Sequence, residues 1–325
     1  MKSGKILVNL ILLIVLLLLG FGYLTLENEP SELIKGFIKD SDVDSLKKYS
    51  ETLITKFAPE PSWLEGRTFI RSDLPQPEIV GKSAILVEIN SGDILYELNS
   101  KEKKPIASLV KIMTAVVALK HKNLDDKVYI SKDAASIGEN SMLLSAGEVF
   151  TLENLLYGLV LHSGNDAAYA IAEEVAGNSD RFVEWMNIKA KELGMNDTKF
   201  TDPSGLDDAT YSTPIDLIKL TRYALKNPNF RKIASTVEYE IYGSEEHKYI
   251  YLYNQTNLLT TYPGVAGIKT GFTEEAGLSL VTYAENGGRE VVGVVLNSTD
   301  RKGDMIRILD HGFETLGVQI EHNLL

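Results

Sequence analysis

The chain of 325 residues contains no cysteine, and its basic residues are outnumbered by acidic ones, 33 to 45. The absence of cysteine excludes disulfide bonds, thiolate metal sites and a cysteine nucleophile. A net charge of −12 does not suit binding to phosphate backbones, so nucleic acid is not an expected partner. The five histidines form no His-x-x-x-His pair, which argues against a zinc peptidase. We therefore expect no metal and no cofactor.

A long apolar segment is present at the N-terminus. Residues 6–26 contain Asn9 as their only strongly polar member, and a helix of that length, about 31 Å, would cross a membrane. Lys2 and Lys5 precede the segment, so the positive-inside rule places the rest of the chain outside the cytoplasm. We expect residues 1–26 to be one transmembrane anchor. The alternative is a cleaved signal peptide and a secreted protein.

The remaining chain has two regions. Five of the ten prolines lie between residues 30 and 77, which predicts a stalk or linker over residues 27–77. Residues 78–325 have the composition of a globular domain. Apolar alternation predicts strands near residues 83–90, 94–98, 237–242, 249–253, 264–269, 278–284 and 290–297. Helical periodicity predicts helices near residues 108–121, 151–162, 166–175, 180–193, 214–225 and 303–316. This order indicates an α+β fold, an antiparallel sheet flanked by helices with an inserted helical region.

One Ser-x-x-Lys pattern has an unusual context. Lys111 is the only charge in an apolar helix that begins near Ser108, and burying an unpaired ammonium group is costly. Residues three apart share a helix face, and burial lowers the pKa of a lysine, so Lys111 can act as a general base for Ser108. The alternative is that Ser108 caps the helix while Lys111 extends to water.

Two further short motifs follow. Ser163 and Asn165 form the only Ser-x-Asn in the chain, at a break between two predicted helices. Lys269-Thr270-Gly271 lies on a probable strand. Each motif is weak by itself, since the first could be an ordinary turn.

Together the three motifs, 55 and 106 residues apart, resemble the penicillin-recognising serine acyltransferases, whose set includes the β-lactamases and penicillin-binding proteins. Flanking segments are similar to the D-alanyl-D-alanine carboxypeptidases of low molecular mass over about 230 residues, 83–313. These segments are residues 107–115, 161–168, 192–200, 204–213 and 267–277. The resemblance implies a serine peptidase that removes the terminal D-alanine from peptidoglycan stem peptides and is acylated by β-lactams.

The resemblance also implies residue roles. Ser108 would be the nucleophile and Lys111 its base. Ser163 and Lys269 would pass a proton to the leaving amine, and Asn165 would hydrogen-bond the substrate.

Other implied roles concern the ends of the substrate. The oxyanion would lie between the backbone N–H groups of Ser108 and Phe272, the residue after Gly271; family members usually carry tyrosine or histidine at this position. Thr270 would bind the terminal carboxylate together with Arg301, although Arg307 is an alternative.

Two competing functions share these motifs. A class A β-lactamase also needs a glutamate in a loop before Lys-Thr-Gly, and residues 202–208 resemble the carboxypeptidases instead. A non-catalytic penicillin-sensing or wall-binding module would not need the complete set of polar motif residues.

Overall fold

The structure of the protein is a computed structural model that describes residues 69–70 and 73–325. The predicted membrane segment, residues 1–26, lies outside the described residues, as does the predicted stalk as far as residue 68. Within the part of the chain that is described, no helix combines the length and the apolar character needed to cross a membrane.

The described residues form eleven strands and eight α-helices. The strands are β1 (Ser83–Glu88), β2 (Ile94–Leu98), β3 (Lys104–Pro105), β4 (Lys127–Tyr129), β5 (Val149–Thr151), β6 (Tyr211–Ser212), β7 (Glu238–Ile241), β8 (Ile250–Tyr253), β9 (Val265–Gly271), β10 (Leu278–Asn286) and β11 (Arg289–Ser298). The helices are α1 (Lys111–His121), α2 (Lys132–Ala135), α3 (Leu152–Val160), α4 (Asn165–Ala176), α5 (Ser179–Glu192), α6 (Pro214–Leu225), α7 (Pro228–Ala234) and α8 (Arg301–Thr315). Two 3₁₀ turns are Ala107–Val110 and Asn257–Thr260.

Five of the strands form one antiparallel sheet in the order β2-β1-β11-β10-β9. The first strand therefore pairs with the last, and the register places Leu86 opposite Gly293. The tight connection between β10 and β11 contains Gly287 and Gly288, both with positive φ, which such two-residue hairpin turns require. The predicted α+β fold with an antiparallel sheet completed by the C-terminal segment is confirmed.

Both faces of this sheet are covered, and β1 is buried along its whole length. One face packs against α8, where a Cβ at Gly312 would lie 2.1 Å from the Leu86 side chain. The other face packs against the helical region, in which α1 contacts α3, α4, α5 and α6. The helical region, which lies between β2 and β9 in the sequence, thus surrounds α1 and fixes its position.

The structure differs from the predicted elements in three ways. The predicted strands at 237–242 and 249–253 pair with each other in a separate two-stranded sheet. The predicted helix at 108–121 begins with the 3₁₀ turn and becomes α-helical at Lys111. Short elements such as α7 and the β3–β6 pair were not predicted, because they span too few residues to show a periodic pattern.

Candidate active site

Ser108 lies in the 3₁₀ turn Ala107–Val110, directly before α1. The neighbouring Ala107 has a φ of 46°, a left-handed conformation that is rare for a residue other than glycine. Gly205 packs so closely here that a Cβ would lie 2.1 Å from the Ala107 carbonyl oxygen. The Ser108 side chain does not cap α1, contrary to the alternative considered from the sequence. The turn is therefore held by its neighbours, with Ser108 partly exposed.

Lys111 is completely buried, and its amine contacts three oxygen atoms. Nζ lies 2.8 Å from Ser108 Oγ, 2.7 Å from Asn165 Oδ1 and 2.6 Å from the carbonyl oxygen of Ser204. The predicted alternative, in which Lys111 extends to water, is wrong because helices pack on every side of α1.

Burial lowers the pKa of Lys111 to about 7, although the negative charges of Asp202, Asp166 and Glu139 oppose the shift. A lysine amine in water would be almost fully protonated at neutral pH. The buried amine is instead neutral in a substantial fraction of molecules, and a neutral amine can accept a proton from the adjacent hydroxyl.

Ser163 and Asn165 occupy the predicted break between two helices, here α3 and α4. Asn165 begins α4, and its Nδ2 donates to the Gly138 carbonyl 3.1 Å away while its Oδ1 faces Lys111. Ser163 has a φ of 64°. Its Oγ is buried and is one of three such side-chain atoms in the described residues without a hydrogen-bond partner. The hydroxyl of Ser163 is thus without a hydrogen-bond partner among the described residues.

The site has two sides, which we call the helical wall (α1 and the start of α4) and the sheet wall (strand β9). A Cβ at Gly271 would lie 2.9 Å from the Ile106 carbonyl oxygen, so only glycine lets the strand approach the 3₁₀ turn this closely. Lys269 is 1% exposed, and its Nζ donates to the Thr270 carbonyl 3.2 Å away. Burial and the nearby positive charges of Lys111 and Arg301 lower the pKa of Lys269 well below its usual value.

The two candidate arginines have different surroundings. Arg301 Nη1 donates to the Gly271 carbonyl oxygen 2.8 Å away, so its guanidinium lies beside the Lys-Thr-Gly strand. Arg307 forms ion pairs with Asp300 and with the buried Asp304, both at 3.7 Å. Phe272 is 60% exposed at the end of β9.

Two buried carboxylates at the site were missed from the sequence. Asp166 accepts hydrogen bonds from the backbone N–H groups of Met142, Leu144 and Ala167 and from the Ser141 hydroxyl. It fixes the loop that contacts Asn165. Its position directly after the Ser-x-Asn motif was the only available signal.

Asp202 is the second missed carboxylate. It accepts bonds from the backbone N–H groups of Ser204, Gly205 and Leu206 at 2.9–3.2 Å and from the Ser204 hydroxyl. Together with a 2.6 Å bond from the Thr114 hydroxyl to the Pro203 carbonyl, these contacts hold the loop that presents Ser204 to Lys111. No sequence pattern indicates that the Ser204 carbonyl accepts a hydrogen bond from Lys111, which lies 93 residues earlier in the chain.

The site thus combines a serine, a buried amine whose pKa is lowered to about 7, and a second buried lysine with Arg301 nearby. This set is suited to acyl transfer. Within residues 69–70 and 73–325, no group of three or more histidine, aspartate or glutamate side chains is arranged to hold a metal ion.

Comparison with known proteins decides the family. A family model described as "D-alanyl-D-alanine carboxypeptidase" matches residues 71–300, more than two thirds of the chain. The chain belongs to the D-alanyl-D-alanine carboxypeptidase family. The resemblance seen in the sequence motifs is confirmed, and so is the predicted class of enzyme, a serine peptidase of this family.

Individual relatives agree with this assignment. The chain is 36% identical to the D-alanyl-D-alanine carboxypeptidase DacF of Bacillus subtilis over 71% of its own length, and that match spans 62% of the relative. It is 34% identical to a D-alanyl-D-alanine carboxypeptidase of Streptomyces sp. strain K15 over 82% of this chain and 99% of that one.

Solved structures show the same fold. The Streptomyces K15 DD-transpeptidase superposes with a TM-score of 0.70 at 34% identity, covering 74% of this chain and 100% of that chain. A D-alanyl-D-alanine carboxypeptidase from Mycobacterium tuberculosis gives 0.71 at 32% identity, covering 76% and 96%.

Proposed function

We propose that the protein is a serine D,D-peptidase that removes the terminal D-alanine from peptidoglycan stem pentapeptides and is inhibited by β-lactams. The observation that carries this function is the contact of 2.8 Å between the completely buried Lys111 amine and Ser108 Oγ. Family membership supplies the substrate class.

The first step is acylation of Ser108. Neutral Lys111 takes the hydroxyl proton as Ser108 Oγ attacks the carbonyl carbon between the two terminal D-alanines. The negative charge that develops on the carbonyl oxygen is stabilised by the backbone N–H groups of Ser108 and Phe272.

The second step is departure of D-alanine. The C–N bond breaks, and the proton that Lys111 took from Ser108 is relayed through Ser163 and Lys269 to the leaving amine, while Asn165 holds the substrate backbone. The unpartnered hydroxyl of Ser163 supports this role. Water then hydrolyses the ester on Ser108 and releases the shortened peptide.

The terminal carboxylate of the substrate is bound by Thr270 and Arg301. The position of Arg301 beside Gly271 favours it over Arg307, whose charge is already paired with Asp300 and Asp304. A bound carboxylate would also raise the pKa of Lys269, because a nearby negative charge favours the ammonium form.

A class A β-lactamase would need a glutamate in the loop before Lys-Thr-Gly to activate water, and residues 202–208 contain none. In the loop 202–208, Asp202 is occupied by four donors of its own loop, and Asp208 accepts a 2.5 Å bond from the Thr273 hydroxyl. This supports the peptidase over the β-lactamase.

The location of the enzyme follows from the sequence. Residues 1–26 would anchor the chain in the cell membrane, residues 27–77 would form a stalk, and the catalytic domain, residues 78–325, would face the cell wall outside the cytoplasm.

Two measurements test the function. Labelled penicillin added to the full chain should form a covalent adduct that peptide mapping assigns to Ser108, and Ser108→Ala should abolish it. A stem pentapeptide should lose the mass of one alanine. An adduct on another residue, or a wild-type protein with no adduct and no mass loss, would contradict the proposal.

A further inference from the structure

The hydrogen bonds of the Lys111 amine define the direction of its lone pair. A neutral amine has two N–H groups and one lone pair. The Ser204 carbonyl oxygen can only accept, and Asn165 presents Oδ1 to Lys111 because its Nδ2 donates to the Gly138 carbonyl. Each of these two acceptors takes one N–H. The lone pair is left for the third neighbour, Ser108, which is the arrangement a general base requires.

One of the two acceptors depends on Asp202. The Ser204 carbonyl belongs to a tight loop whose backbone N–H groups all point to the Asp202 carboxylate, which is 6% exposed. Within the described residues, the hydrogen-bond donors to this carboxylate are Ser204, Gly205 and Leu206 of the same loop. Asp202 therefore acts through the loop and not by a hydrogen bond to Ser108.

We propose that Asp202 is a positioning residue for the general base: its carboxylate holds the loop that presents the Ser204 carbonyl to Lys111. This inference rests on the proposed function of Lys111. It assigns to the 202–206 loop a part in acylation that is separate from substrate binding.

The charge should act in a definite direction. The ionisable groups that face Lys111 are Asp202 from its loop, Asp166 from α4, Glu139 from the loop before it and Lys269 from β9. Negative charge stabilises the ammonium form and raises the pKa of Lys111, with Asp202 the largest such contribution. Removal of the Asp202 charge should therefore lower that pKa, so that the neutral base persists to lower pH.

The test is the rate of acylation by labelled penicillin as a function of pH, with the full chain and variants of it. In Asp202→Asn, we expect the midpoint of the acid limb to move down by roughly one pH unit and the plateau rate to fall roughly 10- to 100-fold as the Ser204 carbonyl shifts. Asp207→Asn is the matched control, because it removes the same charge from an exposed position of the same loop. It should leave both quantities at their wild-type values.

A second variant separates charge from position. Ser204→Ala removes one donor to Asp202 but keeps the carboxylate and the carbonyl. It should lower the plateau with the midpoint unchanged, and it decides the positioning role if Asp202→Asn does not fold.

The inference is overturned if Asp202→Asn acylates with the wild-type midpoint and plateau, if Asp207→Asn shifts the midpoint equally, or if Ser204→Ala keeps the wild-type plateau. A wild-type protein that forms no adduct on Ser108 would contradict the proposed function itself. That result is distinct, because it does not depend on any variant.

Discussion

The two walls of the site each contribute a buried lysine, and the two amines have very different surroundings. Lys111, on the helical wall, lies within 2.8 Å of three oxygen atoms and faces three carboxylates. Lys269, on the sheet wall, forms one hydrogen bond within the described residues, to the Thr270 carbonyl. It faces the positive charges of Lys111 and Arg301.

This difference shows that burial alone does not define a catalytic lysine. Burial lowers the pKa of both amines, but carboxylates keep that of Lys111 near 7 while cations lower that of Lys269 further. Lys111 can therefore exchange a proton near neutral pH. For Lys269, burial and two neighbouring cations act in the same direction, and both disfavour the charged form.

The largest expected effect concerns the helical wall. Lys111→Ala should reduce acylation by labelled penicillin roughly 1,000-fold or more, because a general base contributes about 10²- to 10⁴-fold. The rate is measured by mass spectrometry of the adduct. Lys103→Ala is the control, since it belongs to another Ser-x-x-Lys pattern but is exposed and paired with Asp197 at 3.0 Å. Acylation of the Lys111 variant at a near-normal rate would contradict its role.

The next effect concerns the cations of the sheet wall. Arg301→Ala should lower kcat/KM for a peptide with a free terminal carboxylate roughly 10- to 100-fold, the range for loss of a charge-assisted hydrogen bond. Arg307→Ala should change kcat/KM little, because the Arg307 guanidinium is paired with Asp300 and Asp304, whereas Arg301 bonds to Gly271. Equal losses of kcat/KM in the two variants would contradict a specific role for Arg301 in binding the terminal carboxylate.

A smaller effect should appear in stability. The lowered pKa of Lys269 means that the unfolded chain binds more protons than the folded one between that pKa and the usual value, so stability rises with pH there. Lys269→Met should remove this contribution, which is at most about 1.4 kcal/mol per pH unit for one proton. Denaturant unfolding of both proteins at pH 7 and pH 9 measures it. Identical increases for the two proteins would indicate a Lys269 that stays charged.

The smallest signal is proton uptake on binding. If a substrate carboxylate raises the pKa of Lys269, binding should take up a fraction of one proton. Calorimetry of Ser108→Ala with a stem peptide, in buffers of different ionisation enthalpy, detects this uptake. The same peptide with an amidated terminus is the control and should take up less. Equal uptake for both peptides would argue against a carboxylate-linked Lys269.

The sequence predicted local relations well. The pairing of Ser108 with Lys111 follows from their spacing of three residues on one turn, and the strands at 83–98 and 278–297 follow from apolar alternation around turn residues. The break that carries Ser163 is visible because two apolar periodic segments end and begin there.

Relations between distant segments were not predictable in the same way. Nothing in the sequence indicates that Ser204 O bonds to Lys111, that Asp202 holds that loop, or that residues 237–253 form a separate hairpin. Alignment of the motif by itself did not distinguish Arg301 from Arg307. The direction of each arginine depends on how α8 packs on the sheet.

The amino-acid order alone determined which chemical groups are present and which of them lie one helical turn apart, because backbone geometry sets those short distances. Only the folded chain decided that the Lys111 amine is removed from water, which acceptors take its two N–H groups, and which charges oppose or favour its proton. Those properties come from segments about 30 to 160 residues away along the chain, and solvation and electrostatics depend on proximity in space rather than on position in the sequence.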